Sequence, residues 1–261
     1  MAEHGFIGRI QRFSLGDGPG IRTSVFMQGC DLRCPWCHNP ETIPRAGALL
    51  LYERLCRRCG QCREVCPRRL VADCRIPDRT KCELCGACAQ SCPNGAIMQS
   101  GTKADLESVF ATLLEDKAFY DESGGGVTLT GGEPLLQADF CAALAAKCAR
   151  AGVGVIVDTA GDVPFAAFEK LLPFTDCFYY DIKTLPDGYA VIGGNGARVY
   201  DNLRRLCALR DVVVRIPLIP GFNDDATDAI SNVLHDLRIK EIHHLPFHNL
   251  ATGKYKALGL V

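Results

Sequence analysis

The sequence predicts an α/β protein, a partial, open (β/α)6 barrel interrupted by a small cysteine-rich insert. Three observations predict it. Six β-branched and aromatic runs alternate with stretches of helical periodicity. Between the first and second of these runs lie two copies of one cysteine register. A separate trio, Cys30, Cys34 and Cys37, directly follows the first run. The 261 residues suffice for one large domain carrying an insert.

Taken in order, residues 7–13 read as a leading strand. Asp17-Gly18-Pro19-Gly20 reads as a turn whose glycines can take φ > 0. Residues 23–27 form the first core strand. Composition changes over residues 48–98, which form the insert, leaving 1–47 and 99–261 as the barrel domain. Leu106, Val109, Phe110, Leu113 and Leu114 recur at helical spacing. Strands follow at 126–130, 154–159, 177–181, 212–216 and 241–246, separated by helices at 136–151, 165–172, 199–210 and 225–237. Parallel strands need such crossovers, which are almost always right-handed. Six units are too few to close an eight-stranded barrel. The predicted barrel is therefore open at one side, with room for a large substrate.

Hydrophobic content of 48% and charged content of 23% are ordinary for a globular chain. A net charge of −1 gives no bulk attraction to nucleic acid or membrane, and neither is expected as a partner. No apolar run approaches the ~18 residues of a membrane span. The first ten residues lack the apolar core of a signal peptide, so a cytoplasmic location is expected. In that compartment sixteen cysteines point to metal rather than disulfides. Eleven fall into three clusters; Cys74, Cys141, Cys148, Cys177 and Cys207 are scattered and read as small buried hydrophobes.

Cys30, Cys34 and Cys37 have C-x3-C-x2-C spacing. Three thiolates so close can wrap one face of a [4Fe–4S] cubane, which needs four ligands. Without a nearby fourth cysteine one iron stays open to a substrate or cofactor. A zinc knuckle is the competing reading. Zinc sites usually show paired C-x2-C arms, and the x3 gap fits them poorly. In the insert, Cys56, Cys59, Cys62 and Cys66 precede Pro67, and the register returns 26 residues later as Cys82, Cys85, Cys88 and Cys92 before Pro93. This matches the bacterial ferredoxin pattern, in which the fourth cysteine ligates the other cluster. Cys56, Cys59 and Cys62 accordingly pair with Cys92, and Cys82, Cys85 and Cys88 with Cys66. A double zinc insert is the alternative. Either way the insert is too short for a large core and would be held by its metal.

The ends of the later strands carry the remaining candidates. Gly131, Gly132 and Glu133 close the second core strand, where glycines let backbone approach a ligand. A simple tight turn is the alternative. Asp158 and Asp181 end the next two strands. Paired acids with carbonyls suit a hard cation, and helix caps are the alternative. Arg215 suits a carboxylate or ribose, or else a surface salt bridge. His248 follows the sixth strand, where a lone histidine is usually structural.

The cysteine trio with Trp36 before its last member resembles the radical S-adenosylmethionine (radical SAM) superfamily. The fuller string resembles that of glycyl-radical-enzyme activating enzymes, in the subgroup with a two-cluster ferredoxin-like insert. That string comprises Asp17-Gly18-Pro19-Gly20-Ile21-Arg22, Phe26, Gln28-Gly29-Cys30 and Cys37-His38-Asn39-Pro40-Glu41. The likeness runs from Gly8 to Gly259. It implies the same partial barrel, three [4Fe–4S] clusters, S-adenosylmethionine and a monovalent cation. It places the open iron at Cys30, Cys34 and Cys37. It assigns cofactor contacts to Trp36, Cys37, His38, Gly131, Gly132, Glu133, Asp181, Ile182, Lys183, Arg215 and His248. It assigns the cation to Asp158, Thr159, Tyr179 and Asp181, and a substrate-peptide contact to Asp17.

The implied reaction is reductive cleavage of S-adenosylmethionine to methionine and a 5′-deoxyadenosyl radical. That radical then abstracts hydrogen from a glycine of a partner glycyl radical enzyme. A flavodoxin or ferredoxin would donate the electron, and the enzyme itself would be a monomer. Two rival readings are a radical SAM enzyme acting on a small molecule or other peptide, and a non-catalytic iron–sulfur electron carrier. Three features depart from the family pattern. Ala160 replaces a more usual polar residue. The connection over residues 186–198 is short and glycine-rich, and is expected to line the peptide groove. The chain stops at Val261 where relatives usually continue with another helix, which reads as truncation or an unusually short member.

Overall fold

The computed structural model describes residues 3–260. The chain begins with β1 (His4–Ser14) and β2 (Arg22–Met27). The cysteine-rich stretch holds β3 (Ala48–Leu51), the one-turn helices α1 (Gln61–Glu64) and α2 (Ala87–Gln90), and β4 (Ile97–Ser100). Then follow β5 (Thr102–Asp105), α3 (Leu106–Leu114), α4 (Lys117–Ser123), β6 (Gly126–Gly131) and α5 (Ala138–Arg150). The remainder alternates: β7 (Gly154–Thr159), α6 (Ala166–Leu171), β8 (Cys177–Asp181), α7 (Gly196–Cys207), β9 (Asp211–Leu218), α8 (Thr227–Asp236), β10 (Glu241–Pro246) and α9 (Thr252–Leu258).

One eight-stranded sheet has the order β10-β9-β8-β7-β6-β2-β1-β5. From β2 to β10 all neighbours are parallel, so the six predicted core strands form one parallel array. β1 joins antiparallel to β2, and β5 antiparallel to β1. Both β10 and β5 are edges, so the sheet is open. Parallel strands covered by helices read as near-continuous apolar runs, and β2 is buried at every position. Val25, Val127, Leu129, Val155, Val157, Phe178, Tyr180, Val214 and Ile216 pack under Phe140, Leu144, Phe168, Val199, Leu203 and Leu234 of the helices. Two caps start helices where strand geometry ends: Asp105 accepts from Ser108 N (3.0 Å), and Asn195 from Arg198 N (3.0 Å). Alternate residues face the opposite side of the sheet, where Ile156, Cys177, Tyr179 and Val213 form a separate cluster.

Several elements lay outside the prediction. β1 is longer than residues 7–13, and β5 is a polar edge strand with no apolar period. β3 and β4 pair as a two-stranded sheet, Leu51 opposite Ile97 and Ala48 opposite Ser100, bringing together the two ends of the cysteine-rich stretch. Within that stretch the repeat recurs in the backbone. Arg58 and Gly60 have φ of 54° and 77°, and Leu84 and Gly86 have 52° and 78°. Among the described residues no helix is long and apolar enough to cross a membrane.

Candidate active site

The cysteine loop leaves the C-terminal end of β2 and is tied at both ends. Gln28 Nε2 donates to the carbonyls of Glu41 (2.8 Å) and Pro44 (2.6 Å). Gly29 N and Cys30 N donate to the carbonyls of Thr42 (2.7 Å) and Ile43 (3.1 Å). Inside the loop, Cys37 N donates to Cys34 O (3.1 Å), and Arg33 Nη1 to Cys30 O (2.6 Å). Arg33 N reaches Ile192 O (2.8 Å), fastening the loop to the connection over residues 186–198. Burial pushes the Cys30 thiol up to about 12 and that of Cys37 up to about 11. Thiols so held deprotonate only when a cation or cluster replaces the proton. Among the described residues no three His, Cys, Asp or Glu side chains converge on one metal ion. Three thiols on one loop, in C-x3-C-x2-C spacing, suit three corners of a cubane better than the paired arms of a zinc site.

The predicted glycine motif lies directly against this loop. Gly132 N donates to Met27 O (2.9 Å), and Glu133 N to Gly29 O (2.8 Å). A Cβ on Gly132 would sit 2.3 Å from Gly29 O. The close backbone approach that the sequence suggested for a ligand is thus made, at this residue, to the neighbouring loop. Glu133 is buried, and its carboxylate accepts from Thr159 Oγ1 (2.7 Å), Ala160 N (3.0 Å) and Leu135 N (3.1 Å), joining the ends of β6 and β7. Burial pushes this carboxyl from 4.5 up to about 7, against the pull of its donors. A folded-state value above the unfolded one adds stability that is present at low pH and lost as pH rises through about 7. Wild type is therefore expected to lose stability relative to Glu133→Gln between about pH 5 and about pH 8. Urea midpoints measured at each pH check this, and parallel profiles would contradict it.

Strands β7, β8 and β9 bring four charged residues together. Arg215 donates through Nη2 to Asp158 (2.5 Å) and through Nε to Asp181 (3.0 Å). Lys183 Nζ donates to the other oxygen of Asp181 (3.2 Å), and Thr130 Oγ1 to the other oxygen of Asp158 (2.7 Å). Burial raises Asp158, whereas Arg215 and Lys183 together outweigh burial at Asp181 and hold it below its ordinary value. The two acids that the resemblance assigns to a monovalent cation are ion-paired here with Arg215 and Lys183. For Thr159 and Tyr179 it is the backbone carbonyls that the resemblance assigns to the cation; the Thr159 hydroxyl donates to Glu133, and the Tyr179 ring sits edge-on to His243 at 6.2 Å. Ile182 is fully buried, and its N–H donates to Arg215 O (2.9 Å), holding Lys183 in place.

The two predicted histidines meet. The rings of His38 and His248 stack at 4.0 Å and 2°, and His38 Nε2 donates to His248 O (3.0 Å). Trp36 packs on Phe222 at 4.3 Å. Asp17 stands apart from these groups. Its carboxylate accepts from the hydroxyls of Ser14 and Ser24 (both 2.5 Å), and its carbonyl from Thr128 Oγ1 (2.8 Å). These bonds fix the turn before β2.

No local pattern announces the role of α9. Lys254 Nζ donates to His38 O (2.8 Å), Asn39 Oδ1 (2.9 Å) and Glu41 Oε1 (2.6 Å), while Tyr255 OH donates to Pro35 O (3.0 Å). The two carbonyls lie on either side of Cys37, so α9 clamps the loop. Arg9 Nη1 joins from β1, donating to Glu41 Oε1 (3.1 Å). On the far side of α9, Arg79 bridges Leu49 O (2.7 Å) and Ala257 O (2.9 Å). Lys254→Met is expected to lower stability by about 2 kcal/mol, through acceptors left unpaired. It is also expected to speed amide exchange in residues 34–42. Unchanged exchange there would remove the clamp.

The eight insert cysteines separate into two groups. Cys56, Cys59, Cys62 and Cys92 line one cavity of about 350 Å³, with Cys74 behind them. Cys66, Cys82, Cys85 and Cys88 line another of about 390 Å³.

Comparison with known proteins decides the family. Residues 81–234 match the model described as Radical SAM superfamily, and residues 16–64 that of a 4Fe-4S single cluster domain. The benzylsuccinate synthase activating enzyme of Thauera aromatica is 44% identical, covering 97% of this chain and 81% of its own. The isethionate sulfite-lyase activating enzyme of Oleidesulfovibrio alaskensis is 40% identical, over 97% and 87%. The pyruvate formate-lyase 2-activating enzyme of Escherichia coli is 37% identical, over 97% and 80%. The chain belongs to the radical SAM superfamily, among its glycyl-radical-enzyme activating enzymes. The radical SAM fold is also seen in Streptococcus suis SuiB bound to S-adenosylmethionine. That structure aligns with a TM-score of 0.50 at 12% identity, over 60% of this chain and 37% of that one.

Proposed function

We propose that this protein cleaves S-adenosylmethionine reductively and installs a radical on a glycine of a partner glycyl radical enzyme. The observation that carries this is the placement of Cys30, Cys34 and Cys37. They lie on one tied loop beside the C-terminal ends of β6 to β9, with no fourth cysteine in that loop. When bound there, a [4Fe–4S] cluster supplies the electron that breaks the cofactor's C5′–S bond. Every other task falls to this chain. Gly131, Gly132 and Glu133 hold the edge that receives the methionyl amino group. Lys183 and Arg215 present positive charge to its carboxylate, taking it up in exchange for contacts with Asp158 and Asp181. Trp36, His38 and His248 offer flat faces to the adenine. The open edge of the sheet admits the partner's glycine segment, with Asp17 on its path.

Residues 48–98 are proposed as a ferredoxin-like insert with two further [4Fe–4S] clusters. The two cavities, each lined by the four cysteines that the ferredoxin register pairs, support this reading. The insert clusters would relay an electron from a flavodoxin or ferredoxin. The experiment is anaerobic. Reconstituted, reduced protein given S-adenosylmethionine should yield 5′-deoxyadenosine and bind about twelve irons. A fully loaded, reduced sample that yields none would overturn the proposal.

A further inference from the structure

Charge is divided unevenly along this chain. Residues 48–98 hold nine of the 29 basic side chains and five of the 30 acidic ones, so this stretch carries +4 and the rest −5. The excess is local. Arg68 pairs with Glu83, Arg75 with Glu53 and Lys81 with Asp78, but no ion pair made within the insert uses Arg54, Arg57, Arg58 or Arg63. All four are exposed and come from the single segment, residues 54–63, that wraps the first cysteine cavity. Arg57 and Arg58 line that cavity, and its Cys59 is itself exposed. One acid, Asp73, shares that wall with the two arginines, whereas the second cavity has one charge of each sign, Arg68 and its partner Glu83. Four like charges in ten residues repel one another, and an acidic surface set against them removes that repulsion.

We infer that the Arg54, Arg57, Arg58 and Arg63 face is the docking surface for an acidic one-electron carrier protein, with the first insert cavity as the point of electron entry. This rests on the reading of the insert as a cluster-binding domain. The transfer balances simply. The reduced carrier loses one electron, the cluster held by Cys56, Cys59, Cys62 and Cys92 gains it, and no atom changes hands. The adjacent guanidinium groups favour the added negative charge. Opposite potentials steer encounter and raise association rates by roughly 10- to 1000-fold, an effect that salt screens.

The test uses the reconstituted protein with Arg54→Glu and Arg63→Glu combined, two positions outside both cavity walls. The probe is reduced flavodoxin, with dithionite as a small reductant that needs no docking surface. At low ionic strength the KM for flavodoxin and the Kd for its oxidised form are each expected to rise about tenfold, with a flatter dependence on salt. Iron content and dithionite-driven 5′-deoxyadenosine formation should stay at the wild-type level. The single variants Arg54→Gln and Arg63→Gln keep the test readable if the double variant loses iron. Unchanged flavodoxin KM and Kd would overturn the inference. Weaker activation of a glycyl radical enzyme with unchanged flavodoxin kinetics would overturn it too, and would place that partner on this face. Wild-type protein inactive even with dithionite would instead refute the proposed activity, while the Kd comparison still decides the docking surface.

Discussion

Cys34→Ala is expected to reduce 5′-deoxyadenosine formation to the no-enzyme level and to remove about four of about twelve irons. The loop is built so that each thiol has its own place. Cys30 follows the strand end tied to Ile43, Cys34 supplies the carbonyl that Cys37 N engages, and Cys37 lies between the carbonyls held by Tyr255 and Lys254. Two remaining thiols cannot retain a cubane that already lacks a protein ligand at one iron. The insert cysteines line separate cavities and should keep their irons, so the loss is selective. Iron analysis, paired with chromatography of the nucleoside, reads both parts. Full product from the variant would exclude this loop as the reaction centre.

Arg215→Leu is expected to have the largest effect on stability, about 3–5 kcal/mol, because it strands two buried carboxylates. Asp158 and Asp181 side chains are only 12% and 20% exposed, and Arg215 bonds both. Lys183 remains for Asp181, but Asp158 keeps only the Thr130 hydroxyl. Burial already raises Asp158, so losing the guanidinium should raise it further. Denaturant unfolding measures the loss. A second variant separates charge from shape: Asp158→Asn combined with Arg215→Leu should recover much of the stability while S-adenosylmethionine affinity stays low. No recovery in the double variant would mean that packing, rather than the stranded charge, is responsible.

The positions of the inner parallel strands were legible because most are apolar runs of strand length closed by a polar or glycine residue, as in Val155-Ile156-Val157-Asp158-Thr159, whereas the edge strand β10, Glu241–Pro246, is half polar and was placed by the alternation alone. β5 was not legible, since Thr102-Lys103-Ala104-Asp105 has no apolar period and owes its conformation to pairing with His4–Ile7. The same distinction holds at the site. A residue's place at a strand end can be read from pattern, so Asp158, Asp181, Lys183 and Arg215 could be named together. Their mutual ion pairing could not, because side-chain direction is set by tertiary neighbours. Lys254 and Tyr255 were missed for a related reason. They lie more than 200 residues from the carbonyls they hold, and no local motif announces a lysine that bonds backbone.

The clamp made by α9 has a consequence for the order in which this protein matures. Lys254 and the carbonyl it holds at His38 are 216 residues apart. At about 5–20 residues per second, a ribosome that has finished the cysteine loop needs on the order of 10–40 seconds to reach the residues that fasten it. Through that interval the nascent loop has its strand anchor but not its latch. Thiols exposed in this way are open to stray metal and oxidants. Loading of iron and sulfide is therefore most secure once α9 has been made and has docked on the loop.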